Sequence, residues 1–359
     1  MRPWFQLTLI VPLLLLGCSP NAPAPGPLVA PKESQSSDAP ATTPPSPPAE
    51  TLALPPHPGM AQRPEVQAFL SEMVQKEGFN RAALVALFEK TGTVPKVLDA
   101  MAKPYEAKPW PAYRALFLTE KRIQGGQQFL IDQQSALSRA KARFGVPPAM
   151  ITAIIGIESA YGARAGNYRV LDALATLAFD YPRRAAFFRR ELQEFLLLCR
   201  EESIDALKPT GSYAGAMGMP QFMPSSFRKL AADGDGDGHR DIWQNPADAI
   251  ASVAQYFARN GWHPGEPIGV PARVSGGSFQ RIVSHQSTKP TQTLSALKAL
   301  GVTPKEPVPE GLKGALLELP GKEGPEYWIT FHNFNVIQRY NHSVLYAMAA
   351  TELFRIWTR

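Results

Sequence analysis

The sequence predicts a mainly α fold of the α+β class, with a small β-rich insertion near its C-terminal end. Three observations predict it. Apolar residues recur at helical spacing through most of the chain after residue 63. Asn, Thr, Ser and Pro stand where such helices would begin. From His263 to Glu326 the texture changes to Gly, Pro, Val, Ser and Thr, which suits short strands and loops.

The elements follow in order. Pro64 opens a patterned run to Glu77, Asn80 is placed to cap a run reaching Thr91, and a shorter run covers Val94 to Lys103. Thr119-Glu120 opens what reads as one long helix to Phe144-Gly145. Pro147 and Pro148 then stand at the start of the next helix, where a missing amide hydrogen costs nothing. Further helices are expected at 168–179, 182–202, 224–232 and 246–260. One helix near 292–300 interrupts the β-rich stretch, and a last one runs from Ser343 to Trp357. No internal repeat is visible.

The first residues read as a targeting segment. Arg2 supplies a short positive region, and Leu7 to Leu16 an apolar run too short for a comfortable membrane span. The run ends in Leu15-Leu16-Gly17-Cys18-Ser19, which resembles the bacterial lipobox. That resemblance makes Cys18 the lipidated first residue of the mature protein, and Ser19 beside it resembles the signal for outer-membrane sorting. The localisation implied is an outer-membrane lipoprotein facing the periplasm. The plainer alternative is an ordinary cleaved signal with an incidental Cys. No later segment is apolar enough to span a bilayer. With Cys18 lipidated, Cys199 is left without an internal partner and reads as a buried, inert thiol after Phe195-Leu196-Leu197-Leu198.

Residues 19–58 are rich in Pro, Ala, Ser and Thr and read as an extended linker. At about 3.1 Å per residue this tether could reach on the order of 120 Å. Residues 59–359 then form the folded part. The chain's formal charge of +6 suits an anionic polymer, but charge alone does not separate cell wall, nucleic acid and lipid headgroups.

The stretch Met150 to Gly162 carries the most chemistry. Ile151, Ile154 and Ile155 share a helix face with Glu158. An apolar stripe disfavours the charge of a carboxylate, and so does the negative end of a helix dipole. Both raise its pKa toward what a general acid needs at neutral pH. The bland alternative is a last-turn Glu reaching solvent. Downstream, Asp172 reads as a helix cap and Asp180 as a turn residue.

Glu158-Ser-Ala-Tyr-Gly162 resembles a segment of goose-type lysozymes and lytic transglycosylases. Together with Ser212 to Phe227, and with Asn333-Phe334, Arg339-Tyr340-Asn341 and Tyr346-Ala347-Met348, it resembles the membrane-bound lytic transglycosylase B family from roughly residue 60 to the end. The resemblance implies a lysozyme-like core, about 140–262 plus the C-terminal helix, with an added helical subdomain and the β-rich insertion at about 263–330. It implies cleavage of the MurNAc-GlcNAc β-1,4 bond of peptidoglycan without water. Glu158 serves first as acid and then as base, leaving 1,6-anhydro-MurNAc ends and needing no catalytic cofactor. Ser212 is similar to a residue that binds the sugar's acetamido group, and Gln221 lies in the same cleft loop. Tyr113, Tyr256, Tyr340, Asn341 and Tyr346 match other cleft positions, though each tyrosine also reads as core at helical spacing. Arg183 and Arg184 match a pair that meets the acidic peptide stems. Phe187 departs from the pattern, which commonly has Tyr there. The partners implied are glycan strands and a membrane through the lipid anchor. Nucleic acid is not implied, and protein partners are not indicated either way.

Asp233, Asp235 and Asp237, with Gly238 after them, form the first half of an EF-hand loop. His239 would offer its backbone carbonyl. Gln244 stands where a twelve-residue loop needs Glu. The family resembles an EF-hand with a longer loop, closed by an acid that matches Asp248. Asn245-Pro246-Ala247-Asp248 also reads as a helix start with Asp248 in the first turn. A structural calcium is expected here. Competing readings of the whole chain are a hydrolysing muramidase and a non-catalytic wall-binding lipoprotein.

Overall fold

The computed structural model of the protein describes residues 59–102, 108–286 and 288–359. The expected signal segment with Cys18 and the 19–58 linker lie outside these residues, as does Lys103. Three helices come first, α1 (Pro64–Glu77), α2 (Arg81–Glu89) and α3 (Pro95–Ala102). Pro64 opens α1 where its missing donor is harmless. The Asn80 carboxamide caps α2 by accepting from the Ala83 amide at 3.0 Å.

α4 (Trp110–Phe117) is a helix the sequence reading does not anticipate. Eight residues are too few for a clear period, and only Pro111 in its first turn marks it. The expected long helix from Thr119 is two, α5 (Glu120–Asp132) and α6 (Gln134–Phe144), broken at Gln133 (φ −105°, ψ 18°). Packing explains the break. α5 lies against α7 (Pro148–Ser159), whereas α6 lies chiefly against α11 (Pro246–Arg259). Nothing at Gln133 advertises it, since neither Gly nor Pro stands there.

α7 is the centre of the core. It is buried from Ala149 to Ile157, so it is apolar all round rather than striped. Around it pack α5, α6, α11 and α14 (Val344–Ile356). α8 (Val170–Asp180) and α9 (Ala185–Glu201) form a tight pair, joined through a 3₁₀ turn at Pro182–Arg184. The helix expected from 168 starts at Val170. Tyr168 and Arg169 instead form β1, which pairs antiparallel with β2 (Thr210–Gly211). α10 (Pro224–Leu230) packs on α9. α13 (His332–Tyr340) is a second helix missed in the sequence, where its motif shows but its period does not.

The two acids of α8 are structural. Asp172 pairs with Arg169 at 2.7 Å and accepts from the Gly92 amide. Asp180 accepts from Arg63 at 2.6 Å and from Thr93 at 2.7 Å. Burial pushes the Asp180 carboxyl up, but those two bonds outweigh it and hold the group below its usual range. Both acids therefore stitch the first three helices to the core.

The insertion holds β3 (Gly269–Val274), β4 (Val283–Ser284), β5 (Gln292–Thr293), α12 (Leu294–Ala299), β6 (Val302–Pro304), β7 (Lys313–Pro320) and β8 (Pro325–Thr330). Its sheet runs β4-β7-β8-β3-β6, with β5 also on β7. The pairs are antiparallel except β4 with β7. Val270, Phe279, Leu297, Leu316, Ile329 and Phe331 form a hydrophobic cluster separate from the main core. The Phe331 amide donates to the Ile268 carbonyl at 3.0 Å, so the stretch leaves and re-enters the helical core at one point.

Candidate active site

Glu158 lies in the last turn of α7, and three left-handed residues follow the helix: Ala160 (φ 49°), Tyr161 (φ 62°) and Gly162 (φ 91°). Each non-glycine in that region costs about 1–2 kcal/mol. Local bonds offset the cost. The Ser159 hydroxyl accepts from the Gly162 amide at 3.0 Å and donates to the Met219 carbonyl at 2.8 Å. The Tyr161 hydroxyl donates to the Arg122 carbonyl at 2.7 Å. Its ring lies so close over α5 and α7 that a Cβ on Gly126 or Gly156 would stand 2.7 or 2.6 Å from the phenol oxygen. The Glu-Ser-x-Tyr-Gly motif is thus a set of braces around one carboxyl.

That carboxyl keeps part of its surface open while protein crowds the rest. The Tyr346 hydroxyl donates to Oε1 at 2.6 Å. Burial pushes Glu158 up from 4.5 to about 7, against the pull of the Tyr346 bond. No other acid among the described residues acts on it. Burial and then the charge of Glu158 hold the Tyr340 and Tyr346 phenols well above their usual range, so both remain neutral donors.

The structure gathers some expected site residues and separates others. Tyr346 bonds the carboxyl, Tyr340 is within reach of its charge, and Tyr113 stands near Tyr346. Tyr113 packs on Phe117 with ring centres 5.1 Å apart. Tyr340 donates to the Pro220 carbonyl at 2.6 Å, and so buttresses the Ser212–Gln221 loop. Tyr256 stands behind Tyr340 at 4.6 Å and donates its hydroxyl to the Arg339 carbonyl. Tyr256 is buried, packed on Tyr340, Phe222 and Phe257. The Asn341 carboxamide oxygen accepts from the Ser343 amide at 3.2 Å.

In the loop, the Ser212 hydroxyl accepts from the Ala216 amide at 3.0 Å. Gln221, itself at φ 51°, donates through Nε2 to the Ala165 and Gly218 carbonyls, both at 2.9 Å. The Ser159–Met219 bond ties this loop to the end of α7. Arg183 is exposed, whereas Arg184 lies over the Phe187 ring at 4.3 Å and beside Phe188 at 5.2 Å. Neither arginine bonds to Glu158 or its tyrosines.

Asp233, Asp235 and Asp248 bring carboxylate oxygens within 4.8 Å of one another. Asp248 is fully buried and accepts from the Gly234 and Asp241 amides, both at 2.7 Å. The capping of α11 falls instead to Asn245, which accepts from the Ala247 amide. Burial raises Asp248, its two amide bonds oppose that, and Asp235 and Asp233 raise it further. Three converging acids, one of them buried, fit a hard divalent cation, which would neutralise their mutual repulsion. Asp237 and His239 lie outside the trio, with the Asp237 carboxylate accepting from the His239 amide at 2.8 Å.

Comparison with known proteins is direct. Residues 61–355 match the model of the transglycosylase SLT domain. The chain belongs to the transglycosylase SLT family. It is a lytic transglycosylase on a lysozyme-like core. Over 303 residues it is 41% identical to the membrane-bound lytic murein transglycosylase B of Escherichia coli K12, covering 82% of each chain. It superimposes with a TM-score of 0.77 on the soluble lytic transglycosylase SltB1 of Pseudomonas aeruginosa, at 46% identity over 81% of this chain and 97% of that one. The E. coli lytic transglycosylase Slt35 in complex with calcium gives a TM-score of 0.76 at 41% identity, over 83% of this chain and 94% of that one.

Two site residues of this transglycosylase escape sequence reasoning. Tyr161 shows in the motif, but its place against Gly126 and Gly156 needs three segments that are distant in sequence. Arg122 shows nowhere, since Lys121-Arg122-Ile123 reads as an ordinary helix start.

Proposed function

We propose that the enzyme cleaves the MurNAc-GlcNAc β-1,4 bond of peptidoglycan with Glu158 as its one acid and base. The observation that carries this reading is a lone, crowded carboxyl at about 7, bonded by Tyr346 and unaccompanied by a second acid. Hydrolytic glycosidases pair two carboxyls across the bond. Here the next acids, Asp172 and Asp180, are committed to Arg169 and Arg63.

The steps balance without water. The Glu158 proton passes to the glycosidic oxygen as the C1–O bond breaks, with the acetamido group of MurNAc assisting at C1. The resulting carboxylate takes the proton of the C6 hydroxyl as O6 bonds C1, which restores the acid and leaves a 1,6-anhydro end. Tyr346 holds one carboxyl oxygen through both steps. Ser212 and Gln221 hold the sugar from the loop, and Tyr113, Tyr340 and Asn341 complete the cleft. Arg183 and Arg184 face the acidic peptide stems.

Asp233, Asp235 and Asp248 would hold a calcium ion, whose chemistry here is charge neutralisation that stabilises the loop, and the reaction itself runs without a cofactor. The name of the membrane-bound E. coli relative supports membrane association, and the lipobox-like segment 15–19 supports an anchor at Cys18 in the outer membrane, facing the periplasm. Among the described residues no helix is long and apolar enough to cross a membrane.

Mass spectrometry of digested peptidoglycan tests the reading. Products should carry the anhydro mass, and Glu158→Gln should release none. Reducing ends without that mass would establish a muramidase instead.

A further inference from the structure

Arg122 is a half-buried cation that the chemistry above does not use. It stands in the first turn of α5, the end of a helix where a cation is least favoured. Among the described residues it has no carboxylate partner. Its hydrogen bonds all go to carbonyls: Nε donates to Gly156 O at 3.0 Å, and Nη1 donates to Leu116 O at 2.7 Å and to Phe117 O at 3.3 Å. Guanidinium is rarely kept half-buried without an acid beside it.

Those carbonyls identify its job. Leu116 and Phe117 end α4, and Gly156 lies in the last turn of α7. The final carbonyls of a helix carry its negative end and mostly lack partners within it; those of Leu116 and Phe117 are of this kind, while that of Gly156 also accepts from the Ala160 amide at 3.1 Å. One guanidinium therefore caps two helix termini at once and holds them to each other. The planar fork suits this task, because its donors point in fixed directions. The residue's own carbonyl accepts from Tyr161, the phenol wedged between α5 and α7. Arg122 is thus bonded to both helices that reach the carboxyl: Tyr113 stands one turn before Phe117, and Glu158 two residues after Gly156.

We infer that Arg122 is a positioning residue, which fixes the Tyr113-bearing end of α4 against the Glu158-bearing end of α7 and so sets the register of the acid against the sugar. This rests on Glu158 being the acid. Its effect should fall on kcat more than on KM, because a misplaced acid loses transition-state contacts while most of the glycan cleft stays intact.

The experiment compares Arg122→Gln and Arg122→Lys with the parent on purified glycan strands, with concentrations corrected for the folded fraction by thermal melting. Arg122→Gln should lower kcat on the order of ten-fold, with KM within about two-fold. Arg122→Lys should recover kcat only in part, since one ammonium does not reproduce the fork. In a Tyr113→Ala background Arg122→Gln should lower kcat by less than about two-fold, because the contacts are coupled.

A lowered melting temperature with kcat unchanged, or kcat and KM changed to the same extent, would make Arg122 merely structural and overturn the proposal. Multiplicative effects with Tyr113→Ala would overturn it too. Should Arg122→Gln fail to fold, Arg122→Lys runs the same cycle. Activity retained by Glu158→Gln is a separate result, and would remove the assignment on which this one stands.

Discussion

Two carboxylates in this enzyme, Glu158 and Asp248, are crowded by protein in different company. At the end of α7 one carboxyl stands alone among tyrosines, with a single phenol bonding it, and burial lifts it to about 7. In the loop after α10 three carboxylates converge, and backbone amides of Gly234, Gly236, Gly238 and Asp241 point at them. Burial is common to Glu158 and Asp248. The number of neighbouring acids and amides differs. A solitary acid under burial holds its proton to higher pH, whereas converging acids favour a cation between them. On the proposed function, the same physical pressure yields a proton donor at one place and a calcium site at the other.

The sharpest way to break this comparison is to remove each charge. Glu158→Gln should lose about a thousand-fold or more in turnover, within the range that acid–base groups supply. It should also gain stability, and the sign depends on pH. At pH 8 the folded parent carries a charge that burial disfavours, which from 4.5 to about 7 amounts to about 3 kcal/mol. Below about 4.5 the group is protonated folded or unfolded, and the difference vanishes. Melting curves of parent and variant at pH 8 and pH 5 check this, and equal gaps at both would contradict the isolation of Glu158.

A smaller and opposite effect is expected at the loop. Chelating calcium should lower the melting temperature by several degrees, since a ligand at a hundred times its Kd contributes about 2.7 kcal/mol. Asp248→Asn should abolish that response, while Glu158→Gln should keep it. Calorimetry with and without chelator separates the outcomes, and a response surviving in Asp248→Asn would move the ion elsewhere.

The smallest effect refines the lone carboxyl. The Tyr346 bond lowers Glu158, so Tyr346→Phe should raise it. The alkaline limb, near pH 7 in the parent, should then move upward by a few tenths of a unit, with turnover reduced about ten-fold. A downward shift would mean that Tyr346 does not bond the carboxylate.

Much of this was legible in the chain. Asn80 and Ser343 cap the helices they announce, and Pro64, Pro148 and Pro246 open theirs, because capping is local chemistry written within four residues. Glu158 was legible through its motif more than its period, since α7 is apolar on every side and offers no stripe. The break at Gln133 was hidden because α7 and α11, far along the chain, impose it. α4 was too short to show a period. Tyr256 could be read as cleft or core from its spacing, and only the Arg339 carbonyl at 2.6 Å shows where its hydroxyl goes. Arg122 was silent for the same reason: its meaning lies in carbonyls, which every residue has.

One hydrogen bond has a wider consequence. Because Phe331 and Ile268 meet at 3.0 Å, everything between them is a detour that begins and ends at the same place. Yet the detour is not self-contained: beside its own apolar cluster, Leu317, Leu319 and Trp328 pack into the main core, and the Trp110 indole of α4 donates to Glu326 at 3.3 Å. A foreign module spliced at this mouth would therefore have to bring matching apolar side chains for that seam, or the helix that carries Tyr113 would lose its backing.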